Sequence, residues 1–178
     1  KIPSAKYIYF MDNAFFPYSL LEENFLIDRV LTISQYLVQN FAPDFIVVAC
    51  NTASTSVLSK LRNTVNIPIV GVVPAIKPAV TLSKSKVIGI LATPATIQRP
   101  YLNDLIHSFA PLANIIKIGS SKLVRLAEKK LAGKPISLTQ IETELVKFIE
   151  IRELDSIVLA CTHFPHLLNE LKKAAPMI

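Results

Sequence analysis

Two segments of this chain carry the same nine-residue pattern, and each contains one of the two cysteines. "DFIVVACNT" (residues 44–52) aligns without gaps to "DSIVLACTH" (residues 155–163), which places Cys50 opposite Cys161. Each copy is a short apolar run, typical of a buried strand, followed by polar residues of the kind that begin helices. Open α/β sheets bind ligands at the carboxyl ends of their strands. The repeat therefore predicts two related strand–helix units, each with a thiol at the ligand-binding edge.

The rest of the chain alternates between short apolar runs and longer amphipathic segments. The apolar runs predict strands over residues 6–10, 45–49, 68–73, 86–92, 113–118 and 156–160. Helical spacing predicts helices over residues 20–41, 52–65, 94–109, 121–131, 137–152 and 165–174. Apolar runs that alternate little and precede helices are typical of parallel sheets covered on both faces. The sequence therefore predicts an α/β fold.

A proline-containing segment, "VVPAIKPAV" (residues 72–80), interrupts both periodicities. We interpret it as a hinge between two lobes, residues 1–73 and residues 74–178. Since each lobe holds one copy of the repeat, we expect two pseudo-symmetric lobes. Each would be a mainly parallel sheet flanked by helices, and the active site would lie in the cleft between them.

The composition excludes several classes of protein. Of the 178 residues, 51% are hydrophobic and 18% are charged, a balance that excludes a disordered chain. No apolar run approaches the roughly 20 residues of a membrane helix, and the first residues lack the features of a signal peptide. Two cysteines are too few for a disulfide framework, so we expect a cytoplasmic protein that is not bound to a membrane. The net charge of +6 is scattered without a nucleic-acid-binding motif, and it suits a small anionic substrate instead.

The paired cysteines have several interpretations. A lone Cys50 is most simply a small core residue. A disulfide between the cysteines conflicts with apolar burial in a reducing compartment. A metal site would have at most three ligands, counting His163, and lacks the usual ligand spacing. The remaining interpretation is a pair of acid/base thiols facing each other across a cleft. The helix starts that follow both cysteines would aim backbone N–H groups at the thiols and lower their pKa.

Racemisation is a reaction that requires such a pair. One base removes a proton from one face of a stereocentre, and an acid delivers a proton to the opposite face. The two groups exchange roles in the reverse direction, so they should be chemically alike. Oriented N–H and hydroxyl donors would stabilise the carbanion that forms between the two steps.

Several motifs resemble those of the cofactor-independent aspartate/glutamate racemase family, and most closely its glutamate-specific members. They are "ACNTAS" and "ACTHFP" around the cysteines, "YFMDNAFFPYS" (residues 9–19), and "GVVPAIKPAV" and "GILATPATI" between the cysteines. The similarity covers essentially the whole chain. It implies conversion of L-glutamate to D-glutamate for peptidoglycan and cell-wall synthesis, with no cofactor and no metal. It also implies a peptidoglycan precursor as an activator and a homodimer as a candidate assembly.

The resemblance also implies roles for individual residues. Cys50 and Cys161 would be the catalytic acid/bases, and His163 would assist Cys161. The residues that would line the substrate, largely through backbone and hydroxyl groups, are Tyr18, Ser19, Asn51, Thr52, Thr162 and His163.

The chain departs from the family pattern in three respects. The family's first strand, with its Asp-Ser-Gly segment, is absent, and so are the elements that follow the last helix and complete the first lobe. We therefore expect a partial chain with an incomplete first lobe. Ser19 replaces a glycine of the family, and His166 stands at a position that is usually leucine. Two alternatives stay open: a racemase of aspartate or a related amino acid, and a non-catalytic amino-acid-binding or regulatory module of the same fold.

Overall fold

The strands form two parallel sheets in a computed structural model that describes residues 3–176. The first sheet pairs β1 (Ile46–Val48) with β2 (Ile69–Gly71). The second has the order β4–β3–β5, formed by β3 (Val87–Ala92), β4 (Asn114–Gly119) and β5 (Ser156–Ala160). The predicted α/β class with parallel sheets is confirmed.

Helices flank and connect these strands. The first sheet is accompanied by α1 (Glu23–Phe41) and α2 (Asn51–Thr64), and α3 (Ile76–Leu82) leads to the second sheet. The remaining helices are α4 (Pro94–Gln98), α5 (Pro100–Phe109), α6 (Ser121–Leu131), α7 (Leu138–Ile149) and α8 (Leu168–Ala174). Short 3-10 helices cover Asn13–Phe15, Tyr18–Leu20 and Phe164–Leu167. In residues 3–176, no helix combines the length and the apolarity that a membrane span requires.

The central strand β3 is buried on both faces, as its continuous apolar sequence predicts. Leu91 packs with Phe148 of α7 on one face, and Ile90 packs with Leu102 of α5 on the other. All four side chains have no solvent exposure. Burial of each contributes roughly 1.5–3 kcal/mol to folding. This core fixes the carboxyl end of β5, where Cys161 follows.

The first sheet is covered on one face only by the described residues. Leu26 of α1 and Leu61 of α2 are fully buried in the cluster that also holds Ile46. On the opposite face, Val47 and Val70 are about half exposed, at 52% and 50%. The carboxyl end of β1 is held by its pairing with β2 and by the Ser54 hydroxyl of α2, which donates a 3.1 Å hydrogen bond to the Val48 carbonyl.

Three sequence-based assignments need correction. Residues 6–10 are not a strand, and they join neither sheet; Tyr9 is 86% exposed, so no packed layer covers this apolar segment. The predicted helix 94–109 is two helices, because Pro100 lacks the N–H that would continue α4. The 72–80 segment is not wholly irregular, since α3 begins at Ile76 and places Pro78 in its first turn, where a missing N–H is tolerated. The division into lobes 1–73 and 74–178 stays a prediction.

The contacts that join the halves of the chain carrying the two sheets include an ion pair and a pair of threonine hydroxyls. The Arg99 guanidinium, between α4 and α5, forms a 2.6 Å ion pair with Glu23 at the start of α1. The hydroxyl of Thr52, near the start of α2, lies 3.0 Å from that of Thr93, which caps α4. Both contacts involve the same end of the sheets at which the cysteines lie.

Candidate active site

Both cysteines follow the carboxyl end of a parallel strand, as the repeat predicts. Cys50 is the N-cap of α2, where its Sγ accepts a 3.5 Å hydrogen bond from the Ala53 N–H. Cys161 follows β5 and precedes the 3-10 helix Phe164–Leu167. Both cysteines are free. In residues 3–176, no cluster of His, Cys, Asp and Glu side chains could hold a metal ion.

Cys50 is partly buried. Burial raises its pKa, and hydrogen bonds from the backbone N–H groups of Ala53 and Thr52 and from the Thr52 side chain oppose that rise. The expectation that the helix start gives a net lowering of this pKa is wrong. The free-energy cost of removing the Cys50 thiolate from water exceeds the stabilisation that the N–H groups give it.

Cys161 is 6% exposed, and its thiol is subject to the same two opposing effects. Burial raises its pKa to about 11, and the N–H groups of His163 and Phe164 lower it. A negative charge on Cys50 raises the pKa of Cys161 further. The two thiols therefore interact electrostatically, and ionising one disfavours ionisation of the other. A state in which both cysteines are thiolates is therefore disfavoured.

His163 connects Cys161 to a carboxylate that the sequence analysis missed. Its Nδ1 lies 3.8 Å from the Cys161 Sγ, and its Nε2 lies 2.8 Å from Oε1 of Glu128 on α6. The ring of Phe16 packs against the imidazole at 5.8 Å between centroids. Glu128 thus holds the ring orientation and the tautomer of His163. Because Glu128 is distant from His163 in sequence, no local sequence pattern predicts this contact.

Tyr18 is held by a second, partly buried network of hydrogen bonds. Its hydroxyl donates a 2.8 Å hydrogen bond to Asp12, whose carboxylate also receives two hydrogen bonds from Arg29 at 2.8 and 2.9 Å. Burial and the neighbouring Asp12 carboxylate raise the Tyr18 pKa above its usual range. The Tyr18 ring packs in the same apolar cluster as Cys50. Its hydroxyl is therefore engaged by Asp12, while its ring contributes to the surroundings of the thiol.

Three threonine hydroxyls form a buried triangle next to Cys50. Thr52 lies 3.0 Å from Thr93 and 3.2 Å from Thr96, and Thr93 and Thr96 lie 3.0 Å apart. Sequence reasoning selected Thr52 only. The "TP" pair at residues 93–94 marks a helix cap, which is a sufficient signal for the start of α4 but not for its contact with α2.

Two buried polar atoms of the predicted substrate-lining residues have no hydrogen-bond partner within the described part of the chain. They are Oγ of Ser19 and Oδ1 of Asn51. Buried polar atoms in native proteins are nearly always paired, so an unpaired atom calls for a specific explanation. Thr162 is partly buried between the second thiol and His163, whereas His166 is exposed, and its carbonyl accepts a hydrogen bond from Lys130.

Two surface cavities lie elsewhere on the second sheet. One of about 400 Å³ is lined by residues of α5 and β4 that include His107 and Lys117. The other, of about 210 Å³, is lined by residues of β5 and α8 that include Leu159 and Leu171. Neither cavity includes a cysteine, so the candidate site rests on the chemistry of its residues.

Comparison with known proteins assigns the family. The model of the Asp/Glu/Hydantoin racemase family matches residues 1–178, the whole chain. The chain belongs to this family. The resemblance carried by its cysteine motifs is thereby confirmed.

Individual relatives agree with this assignment. The chain is 49% identical to the glutamate racemase of Histophilus somni (strain 2336) over 177 residues, which make up 99% of the chain and 66% of the relative. It is 51% identical to the glutamate racemase of Aliivibrio fischeri (strain ATCC 700601 / ES114) over 174 residues, which are 98% of the chain and 65% of the relative.

One solved structure is that of Escherichia coli glutamate racemase in complex with L-glutamate and the activator UDP-MurNAc-Ala. It superposes with a TM-score of 0.90 at 43% identity, over 97% of this chain and 65% of that chain. This close superposition agrees with the α/β fold and parallel sheets described above. The chain spans just under two thirds of the length of these relatives.

Proposed function

We propose that the protein to which this chain belongs is a glutamate racemase, an isomerase that interconverts L- and D-glutamate without a cofactor. The observation that carries the proposal is the pair of electrostatically coupled thiols, Cys50 and Cys161, at equivalent ends of parallel strands. A two-base proton transfer at Cα requires two chemically similar groups, one of which acts as the base while the other acts as the acid. The E. coli structure that contains L-glutamate supports this choice of substrate.

The proposed reaction moves one proton at each face of Cα. The thiolate of one cysteine removes the α-proton and becomes a thiol, leaving a carbanion whose charge spreads into the α-carboxylate. The thiol of the other cysteine then donates its proton to the opposite face and becomes the thiolate. The reverse reaction begins from that thiolate, so the two cysteines exchange roles.

Because both thiols have a raised pKa, substrate binding has to help form the reactive thiolate. Burial keeps both groups mainly protonated at neutral pH in the free protein. The positive α-ammonium of a bound amino acid lies next to Cα, and a nearby positive charge favours the thiolate. N–H groups at the start of α2 and after Cys161 stabilise the same negative charge. Binding and deprotonation are therefore coupled.

His163 and Glu128 would act on the Cys161 side. The imidazole lies within 3.8 Å of the thiol, close enough to exchange a proton with Sγ after a small approach. Glu128 would act as a positioning residue, because its 2.8 Å contact with Nε2 directs Nδ1 toward the sulfur. The hydroxyls and amide after Cys50, with Thr162 after Cys161, would bind the polar groups of glutamate.

Three further features follow for the whole protein. We propose the cytoplasm as its location, and D-glutamate supply for peptidoglycan as its role. The UDP-MurNAc-Ala activator of the E. coli enzyme suggests a similar precursor as the regulatory partner. Aspartate racemisation is the second candidate, since the family description includes aspartate and the thiol chemistry is the same.

Deuterium incorporation in the full-length protein tests the proposal. Incubation with L- or D-glutamate in deuterium oxide should give loss of optical activity together with deuterium at Cα, and aspartate should react far less. Cys50→Ser and Cys161→Ser should each lower the rate at least 10²-fold, because a hydroxyl is a much weaker acid than a thiol. Folded wild-type protein that exchanges neither enantiomer contradicts the assignment. Full glutamate binding with unchanged biology in both serine variants would favour the non-catalytic binding module.

A further inference from the structure

One ion pair ties the half of the chain that carries the first sheet to the half that carries the second. The guanidinium of Arg99 lies 2.6 Å from the Glu23 carboxylate, and the Arg99 side chain is only 13% exposed. Its Nε is buried and has no hydrogen-bond partner among the described residues. Loss of Glu23 would leave this charge largely shielded from water and without its carboxylate, which is unfavourable. The position of Arg99 therefore depends on Glu23.

The pair connects the end of α4 to the start of α1. Arg99 lies between α4 and α5, and Glu23 is the first residue of α1. The 3-10 helix Tyr18–Leu20, just before α1, packs against α2 and α4. The ion pair therefore fastens the beginning of α1 to the same helix, α4, against which the preceding segment packs.

The position of α4 is set by the sheet that holds the second thiol. The last residue of β3, Ala92, pairs with Ala160, which ends β5 and directly precedes Cys161. Helix α4 begins two residues after Ala92. A displacement of α4 relative to the first half of the chain would therefore also displace Cys161.

Two points along α4 hold it to the half of the chain that carries Cys50. At the start of α4, the Thr93 hydroxyl lies 3.0 Å from that of Thr52, two residues after Cys50. At its end, Arg99 contacts Glu23. Two separated attachments restrict rotation of one half against the other more than either does alone. The ion pair is therefore placed where it can control the relative position of the two thiols.

We propose that Arg99 is a positioning residue, whose ion pair with Glu23 holds the two halves of the chain in the orientation that places one thiol at each face of the bound Cα. This inference rests on the proposed function. A misplacement of reacting groups by about 1 Å can slow a reaction about 10²-fold. The pair should act on kcat more than on KM, because neither side chain is among the residues proposed to bind glutamate.

The test compares Glu23→Gln and Arg99→Lys with wild type in the full-length protein. In Glu23→Gln, kcat should fall about 10-fold or more for both enantiomers, with KM within about threefold. The isotope effect of α-deuterated glutamate should rise in both directions, because proton transfer becomes slower than the other steps. Arg99→Lys keeps a positive charge and should retain most of the wild-type kcat. The matched control is Lys122→Gln, which removes a 3.4 Å ion pair with Glu144 inside the second half and should leave kcat unchanged.

Two results would overturn the inference. A kcat in folded Glu23→Gln within about twofold of wild type would show that the ion pair does not position the thiols. A large rise in KM with an unchanged kcat would show that the pair serves substrate binding instead. If Glu23→Gln fails to fold, Glu23→Asp provides the same comparison, because its carboxylate is one methylene shorter and reaches Arg99 less well.

Failure of the proposed function has a different signature. In that case wild type itself would show no α-deuterium exchange. Cross-linking of Cys50 to Cys161 by a short bismaleimide, followed by peptide mapping, would then test the positioning separately. The yield of this cross-link should be lower in Glu23→Gln than in wild type, and equal yields would refute the inference.

Discussion

Replacing Glu128 by glutamine removes a negative charge from the end of a chain of contacts that reaches Cys161 through His163. The carboxylate lies 2.8 Å from Nε2 of His163, and Nδ1 lies 3.8 Å from Sγ. A buried hydrogen bond to a charged group contributes about 1.5–3 kcal/mol. The Glu128 side chain is 48% exposed, so solvent screening reduces this contribution to about 1 kcal/mol. We therefore expect Glu128→Gln to lower kcat/KM about 5-fold.

The assay is racemisation of each enantiomer together with the isotope effect of α-deuterated substrate. The two enantiomers have equal free energy, so kcat/KM must fall by the same factor in both directions. The isotope effects should diverge, because only the proton transfer at Cys161 becomes slower. The effect should grow for the enantiomer deprotonated by Cys161 and shrink for the other one. Glu170→Gln, which breaks a 2.7 Å contact with Lys130, is the matched control. Equal isotope effects in wild type and Glu128→Gln would refute the positioning role.

Two further predictions concern groups that hold the frame of the site. Asp155→Ala should cost about 1–2 kcal/mol in the free energy of unfolding at pH 7, because its carboxylate accepts the N–H groups of Lys84 and Ser85 at 2.7 and 2.8 Å. Hydrogen bonds hold the Asp155 pKa below its usual range. The stability that they provide is therefore present above about pH 4 and is lost as the pH falls further. Urea titrations that show the same difference between variant and wild type at about pH 5 and about pH 2 would contradict this prediction. Tyr18→Phe should cost about 1 kcal/mol in unfolding experiments and leave the KM for glutamate within about twofold, because the hydroxyl is bound to Asp12; a large rise in KM would show that it binds the substrate instead.

The sequence is sufficient to predict the elements and thiols because both depend on local patterns. The strand Ser156–Ala160 and the helix Ser121–Leu131 have the bounds expected from their apolar spacing. Cys50 caps a helix because the residues after it are capping types, as their order indicates. Segment 6–10 has an equally apolar pattern but no strand, since a strand also needs a partner and a covering layer. Local pattern therefore predicts an element only where the tertiary structure completes it.

Local sequence patterns do not predict which side chains from other helices contact the residues of the site. Glu128 reaches His163 from α6, and Asp12 receives Arg29 from α1. Each pair brings together side chains that are distant in sequence, and each residue taken alone would pass for an ordinary surface charge. The net direction of the thiol pKa shifts was also missed, because burial depends on how the whole site packs. The sequence alone therefore does not predict the electrostatic environment of the two thiols.

The internal repeat clarifies why the two thiols need different surroundings. Alignment of the copies places Thr52 opposite His163, each two residues after its cysteine. Thr52 gives Cys50 a hydroxyl hydrogen bond, whereas His163 gives Cys161 an imidazole backed by Glu128. The strands and thiols are thus nearly symmetric, and the groups beside the thiols are not. In the proposed reaction the bound amino acid is itself asymmetric, because the two cysteines would approach opposite faces of Cα while its carboxylates and ammonium stay in one place. Because the enantiomers have equal free energies, the overall barrier must be the same in both directions. This condition does not require equal pKa values of the two thiols, so the group beside each thiol can differ.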